Sequence, residues 1–250
     1  VKIIILLLIF LISSCSSDKP KGKTEAEILY KESLDLIESE RYILATEKIN
    51  QIKTQHPYSY YATPAELLLA EVQFKQESYI ESAASFLLFR DFHPKHERIA
   101  YVVFMIAESY FMQLPPTIDR DLESGMEAIK FYKEVVEKYP KSEFVEKALK
   151  SIKKIMAMLL EKDQYIADFY FKTKVWQAAH FWYNEILQRY DDNRSARQQA
   201  ILRLVKTSLS QKNYQECIEE IEKYTSEVDK EVQTQLNSIN KRCEKAFKKI

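Results

Sequence analysis

Four histidines and three cysteines are the residues of this sequence best suited to metal or nucleophilic chemistry, and their spacing limits what they can do. His93 and His96 form an HxxH pair with Pro94 between them. A metal site needs three or four convergent ligands, and no nearby cysteine or second histidine pair supplies the rest, so no metal is expected. His56 and His93 each precede a proline that closes a helical run, where a helix C-terminal dipole accounts for them. His180 sits on a helical stretch with Trp176 and Trp182 and reads as a packing residue. Acidic residues are plentiful but scattered among lysines, as on solvated helix faces. Glycine occurs only at Gly22 and Gly125, which excludes every phosphate-cradling loop built on two or three glycines. No nucleophile stands in a motif context, so the chain reads as non-enzymatic.

The cysteines divide into one near the start and two near the end. Lys2 precedes an unbroken apolar run, Ile3 to Ile12, followed by Ser13, Ser14 and Cys15. The run is too short for a bilayer, which needs about 20 residues, and reads as a secretory signal peptide covering residues 1–14. Ile12-Ser13-Ser14-Cys15 resembles the bacterial lipobox, which implies cleavage before Cys15 and acylation of that residue. Several acyl chains at about 0.8 kcal/mol per buried CH2 anchor a protein stably, whereas one is marginal. This covalent lipid is the only non-protein group expected; no cofactor is. Ser16, rather than Asp, follows the cysteine, which by the same resemblance implies sorting to the outer membrane. Residues 15–24 lack apolar residues to bury and read as a flexible tether. If the last helices reverse near Glu227, Cys217 and Cys243 are offset by about 9 Å along their axes. Disulfides rarely span Cα atoms more than about 7 Å apart, so the spacing argues against a bridge.

The elements that position these residues are helices. Few turn residues and 30% charged residues, with abundant Leu, Ile, Glu, Lys and Ala, predict an all-α chain. Lys and Arg total 37 and so do Asp and Glu, which removes the bulk basicity that nucleic-acid binding requires. Apolar spacing also repeats. Tyr42, Ala45, Ile49, Ile52 and Pro57 are answered by Tyr79, Ser82, Phe86, Phe89 and Pro94, then by Gly125, Ala128, Tyr132, Val135 and Pro140. A fourth copy runs Trp176, Ala179, Tyr183, Ile186, with Asp191 at the proline position, and a fifth Tyr214, Cys217, Ile221, Tyr224. This is the tetratricopeptide (TPR) pattern of helical hairpins stacked as a solenoid. The TPR domain is expected over 25–250, in units of about 26–60, 63–96, 100–141, 143–191 and 194–226, with a capping helix at 229–249. Phe144 to Leu160 adds a helical stretch before Tyr165, either separate or part of one long helix.

By resemblance to other TPR proteins, first helices line a concave groove, which places Tyr30, Leu67, Glu71, Phe74, Tyr101, Phe104, Glu108 and Phe111 on that face. Aromatic walls with a few charges suit an extended peptide. The lipobox, the repeats, HPYSYYATPAELLLAE, HPKHERIAYVVFM, the insertion with Asp119-Arg120-Asp121 and the KYPKSEF segment together resemble the YfiO (BamD) family of outer-membrane β-barrel assembly lipoproteins. The resemblance implies a scaffold on the periplasmic face of the outer membrane, held there by lipid. Its first units would bind C-terminal segments of unfolded outer-membrane proteins. Its later units, with the Asp119–Asp121 loop, would dock the periplasmic domains of the barrel subunit BamA beside other lipoproteins of the complex. A different TPR lipoprotein, such as an adaptor delivering substrates to a periplasmic protease, would share the lipobox and repeats but lack the HPYSYY and DRD segments.

Overall fold

The computed structural model describes residues 23–249; the expected signal peptide, Cys15, most of the tether and Ile250 lie outside the described residues. All regular structure among the described residues is helical. The helices are α1 (Glu25–Glu38), α2 (Tyr42–Gln55), α3 (Ala62–Lys75), α4 (Tyr79–Phe92), α5 (Ile99–Phe111) and α6 (Glu123–Lys138). They continue as α7 (Val145–Lys172), α8 (Trp176–Arg189), α9 (Arg194–Gln211), α10 (Tyr214–Tyr224) and α11 (Lys230–Phe247). The stretch up to Leu160 and that from Tyr165 therefore form one continuous helix, α7, which begins just after Phe144. No helix among the described residues is long and apolar enough to cross a membrane. The chain forms two compact units: the first comprises the described residues up to Gln113 with Lys130–Ala148, the second Leu114–Ile129 with the described residues from Leu149 onward.

The hairpins are of the TPR type, and the repeated small residues explain why. Ala45, Ser82, Ala128, Ala179 and Cys217 are all completely buried, so neighbouring helices can approach over them. Ser82 also donates its hydroxyl to the Ala70 carbonyl at 3.0 Å and receives one from Ser109 at 3.2 Å, which satisfies it in the core. Helices α2 and α4 end at His56 and His93, each immediately before the proline that forbids another turn.

Four hairpin turns share one local geometry. Glu40, Glu77, Lys174 and Lys212 each adopt a left-handed backbone, with φ of 57°, 61°, 63° and 63°. The next residue in each turn donates its N–H back across the helix end: Arg41 to Leu36, Ser78 to Gln73, Val175 to Tyr170 and Asn213 to Ser208. This is the Schellman closure that glycine usually fills, built here with charged residues. The chain's one described glycine serves packing instead. A Cβ on Gly125 would meet Ile155 Cγ2 at 2.9 Å and Leu114 Cδ2 at 3.0 Å.

The second unit corrects one expectation. Cys217 and Cys243 are joined by a disulfide, with Cα atoms 6.4 Å apart. Between α10 and α11 a 3-10 turn, Thr225–Glu227, carries the chain further before it reverses. Its steeper rise cuts the axial offset to about 3 Å, within disulfide reach. Tyr183, Tyr190, Ile201, Leu204 and Leu236 pack around this bridge in one core cluster.

Candidate functional site

In the first unit, α1, α3 and α5 bring together a polar and aromatic cluster. Tyr30 of α1 packs on Tyr61, ring centroids 5.4 Å apart, and Tyr61 in turn meets Tyr60 edge-on at 5.4 Å. Glu71 of α3 accepts a hydrogen bond from Arg98 Nη2 at 2.8 Å. The same guanidinium lies 4.4 Å from the ring centre of Tyr101 on α5, a cation–π contact. Burial, reinforced by the negative charge of Glu71, pushes the Tyr101 hydroxyl far above its ordinary pKa of 10. Tyr30 is pushed up by the same two causes in the same order, with Arg98 opposing. Both phenols are therefore neutral, with Glu71 and Arg98 the charged pair between them.

Tyr101 continues into a cleft of about 780 Å³, lined also by Arg98, Tyr139, Pro140, Lys141 and Phe144. Phe144 contacts Tyr101 at 5.7 Å and stacks on Phe104 at 4.9 Å. In the loop ahead of α3, Tyr58 is fully exposed and Tyr60 nearly so. The result is an apolar aromatic wall with a rim of mixed charge, Lys138 and Lys141 beside Glu97 and Glu143, with Arg98 held by Glu71. It can cover aromatic side chains of an extended peptide and pair with its backbone or terminal carboxylate.

The structure separates the eight residues that sequence spacing assigns to the groove. Tyr30, Glu71 and Tyr101 come together as described. Leu67 and Phe104 do not line a groove: they are 4% and 7% exposed and belong to the core. Phe104 turns toward Tyr132 and Phe144, which cover it, and Leu67 stands in a run of consecutive buried residues, Leu67 to Ala70, so α3 is enclosed on more than one face. Phe74 is half-buried and meets Tyr79 edge-on at 5.2 Å across the turn of its own hairpin. Glu108 accepts a short hydrogen bond from the Tyr132 hydroxyl, and Phe111 also contacts that ring. Sequence reasoning missed Arg98, Tyr61 and Phe144. The signal for Arg98 was its separation of 27 residues from Glu71, the offset that also joins His93 to Glu66 and Ser109 to Ser82.

In the second unit, Asp119, Arg120 and Asp121 are all exposed. The loop is nonetheless tied down: Lys162 of α7 donates to the Arg120 carbonyl at 2.6 Å, and Asp121 accepts the Glu123 N–H at 3.0 Å. Buried Leu122 anchors it from the other side. Asp119 is held below the usual carboxylate range, first by a hydrogen bond from the Thr117 side chain.

The histidines have separate duties. His93 Nε2 lies 2.8 Å from Glu66, while His96 Nδ1 accepts the Arg98 N–H at 3.1 Å, so the HxxH does not converge. His180 of α8 pairs with Glu220 of α10 at 2.6 Å, a contact its place beside the tryptophans does not announce.

The YfiO family, described as outer membrane lipoprotein, matches residues 22–199. An outer membrane protein assembly factor BamD of Vibrio cholerae is 26% identical over 214 residues, covering 80% of this chain and 87% of its own. That of Rickettsia prowazekii is 27% identical over 224 residues, covering 89% and 87%. Among solved structures, the TPR2AB domain of yeast Sti1 in its pHSP90 complex is similar at a TM-score of 0.44 and 12% identity, covering 89% of this chain and all of that one.

Proposed function

We propose, given that the chain belongs to the YfiO family of outer-membrane lipoproteins, that it is a non-catalytic scaffold of outer-membrane β-barrel assembly on the periplasmic face. Its groove receives C-terminal segments of unfolded outer-membrane proteins, and its second unit docks the barrel subunit BamA through the Asp119–Asp121 loop. Cys15 carries the lipid that holds it to the membrane. The observation that carries the reading is the Glu71–Arg98–Tyr101 cluster opening onto the Phe144 cleft. Barrel proteins end in alternating aromatic residues, and this site offers aromatic walls with a rim on which Lys138 and Lys141 alternate with Glu97 and Glu143.

Site-specific photocrosslinking tests it in membranes. A photoreactive residue at Tyr60 or Tyr139, both beside the cluster, captures newly exported barrel proteins, and one at Arg120 captures BamA. Adducts with BamA at Tyr139 and with barrel substrates at Arg120 would reverse the assignment of the two units.

A further inference from the structure

The second unit holds a three-residue cluster that the scaffold function does not use. His180 of α8 and Glu216 and Glu220 of α10 each offer one ligand atom, and the three atoms lie within 4.8 Å of one another. His180 Nε2 is 2.6 Å from Glu220 Oε1 and 3.4 Å from Glu216 Oε1. One imidazole N–H cannot serve both carboxylates, and it is committed to Glu220. Glu216 and Glu220 are one helical turn apart on the same face of α10, and both carboxylates face the same imidazole nitrogen.

Each of the three is also fixed from behind. Ser208 of α9 donates to Glu220 Oε2 at 2.8 Å, Asn213 donates to Glu216 Oε2 at 2.7 Å, and the Asn184 amide lies 3.2 Å from His180 Nδ1. Metal-binding histidines and carboxylates are held by such outer partners, which set the tautomer and ring orientation. Ligation through Nε2 puts the imidazole proton on Nδ1, so the Asn184 amide must turn its oxygen to that atom and give up the hydrogen bond its nitrogen makes to the His180 carbonyl at 3.2 Å.

We propose that His180, Glu216 and Glu220 form a binding site for one Zn2+-class divalent cation, which clips α8 to α10. Zinc takes nitrogen at about 2.0–2.1 Å and carboxylate oxygen at about 2.0–2.2 Å, so tetrahedral ligands sit about 3.3 Å apart. The distance from His180 to Glu216 already fits; that to Glu220 opens by about 0.7 Å as the imidazole proton moves from Nε2 to Nδ1 and the cation takes its place. The side chains of His180 and Glu216 are 21% and 37% exposed, which leaves an entry path and a fourth position for water. One imidazole and two carboxylates favour a borderline cation over Mg2+ or Ca2+, which take oxygen ligands.

The test is Zn2+ titration of the full chain against a chromophoric chelator, with thermal unfolding followed in parallel. Wild type binds one ion per chain with a raised melting temperature, and excess Mg2+ does not displace it. Glu216→Gln is the informative variant, because that side chain is the most exposed of the three and glutamine keeps an oxygen for the Asn213 hydrogen bond while removing the charge. It weakens Zn2+ binding about tenfold or more, and Ser208→Ala about tenfold, the range for loss of an outer partner. His93→Asn leaves binding unchanged. Absence of saturable binding, or equal binding by wild type and Glu216→Gln, overturns the site; loss in His93→Asn moves it to the first unit.

Discussion

Sequence spacing puts Phe74 and Phe104 on the same concave face, and the structure assigns them different work, so truncating each destabilises the chain by a different amount. Phe104 is 7% exposed, stacked on Phe144 at 4.9 Å and packed on Tyr132 at 5.9 Å. Phe104→Ala removes about 2–3 kcal/mol of transfer free energy and an aromatic pair contributing about 1 kcal/mol. With the cavity left behind, the loss is about 3–5 kcal/mol. For a chain of this size each kcal/mol moves the melting temperature by about 2–4 °C, so a fall of about 10 °C is expected. Phe74 has one edge contact, with Tyr79, and is half-buried. Its truncation costs about 1 kcal/mol and shifts melting by about 3 °C. Melting of both variants by far-ultraviolet circular dichroism decides the matter. Equal shifts, or a larger one for Phe74→Ala, would refute the assignment of Phe104 to the core.

Three further outcomes follow from single features. Reduction of the Cys217–Cys243 bridge, which closes a 26-residue separation, lowers stability by about 3 kcal/mol, and the double serine variant shows the same melting point with and without reductant; a reductant-insensitive wild type contradicts the pairing. Glu77→Gly relieves a left-handed backbone at φ 61° and raises stability by about 0.5–1 kcal/mol in urea unfolding, whereas a destabilised variant would show that the Glu77 side chain matters more than its backbone. Tyr101, Tyr183 and Tyr190 all have hydroxyls pushed well above 10, first by burial, so their contribution is complete below about pH 10 and is lost as pH rises through the folded values. Phenolate absorbance should therefore report these three only as the chain unfolds; normal titration of all sixteen tyrosines before unfolding would contradict their burial.

What was legible in the sequence was the part governed by local spacing. Ala45, Ser82, Ala128, Ala179 and Cys217 announce the hairpins because only small side chains let two helices close, and each is fully buried. Pro57 and Pro94 mark helix ends because proline forbids continuation. The helix faces were less legible, since periodicity places Phe104 on α5 but not the later segment that covers it, where Phe144 stacks on its ring. Contacts between distant segments left the weakest trace. The disulfide depended on the rise of a short 3-10 turn, and the pairing of Arg98 with Glu71 on the packing of α5 beside α3. The convergence of His180 with Glu216 and Glu220 needed the separation of α8 from α10, which no local periodicity encodes.

The most direct test of the scaffold reading is the affinity of the mature chain for a fluorescent peptide copied from the aromatic C-terminus of a barrel protein. Anisotropy titrations compare wild type with Tyr101→Ala, and melting curves check that the variant is folded. Tyr101 joins the Arg98 contact at 4.4 Å to the Phe144 wall, so its loss removes the centre of the site. The account predicts saturable binding by wild type and about thirtyfold weaker binding by the folded variant, equivalent to about 2 kcal/mol at a binding hot spot. Unchanged affinity in a folded Tyr101→Ala chain would contradict it.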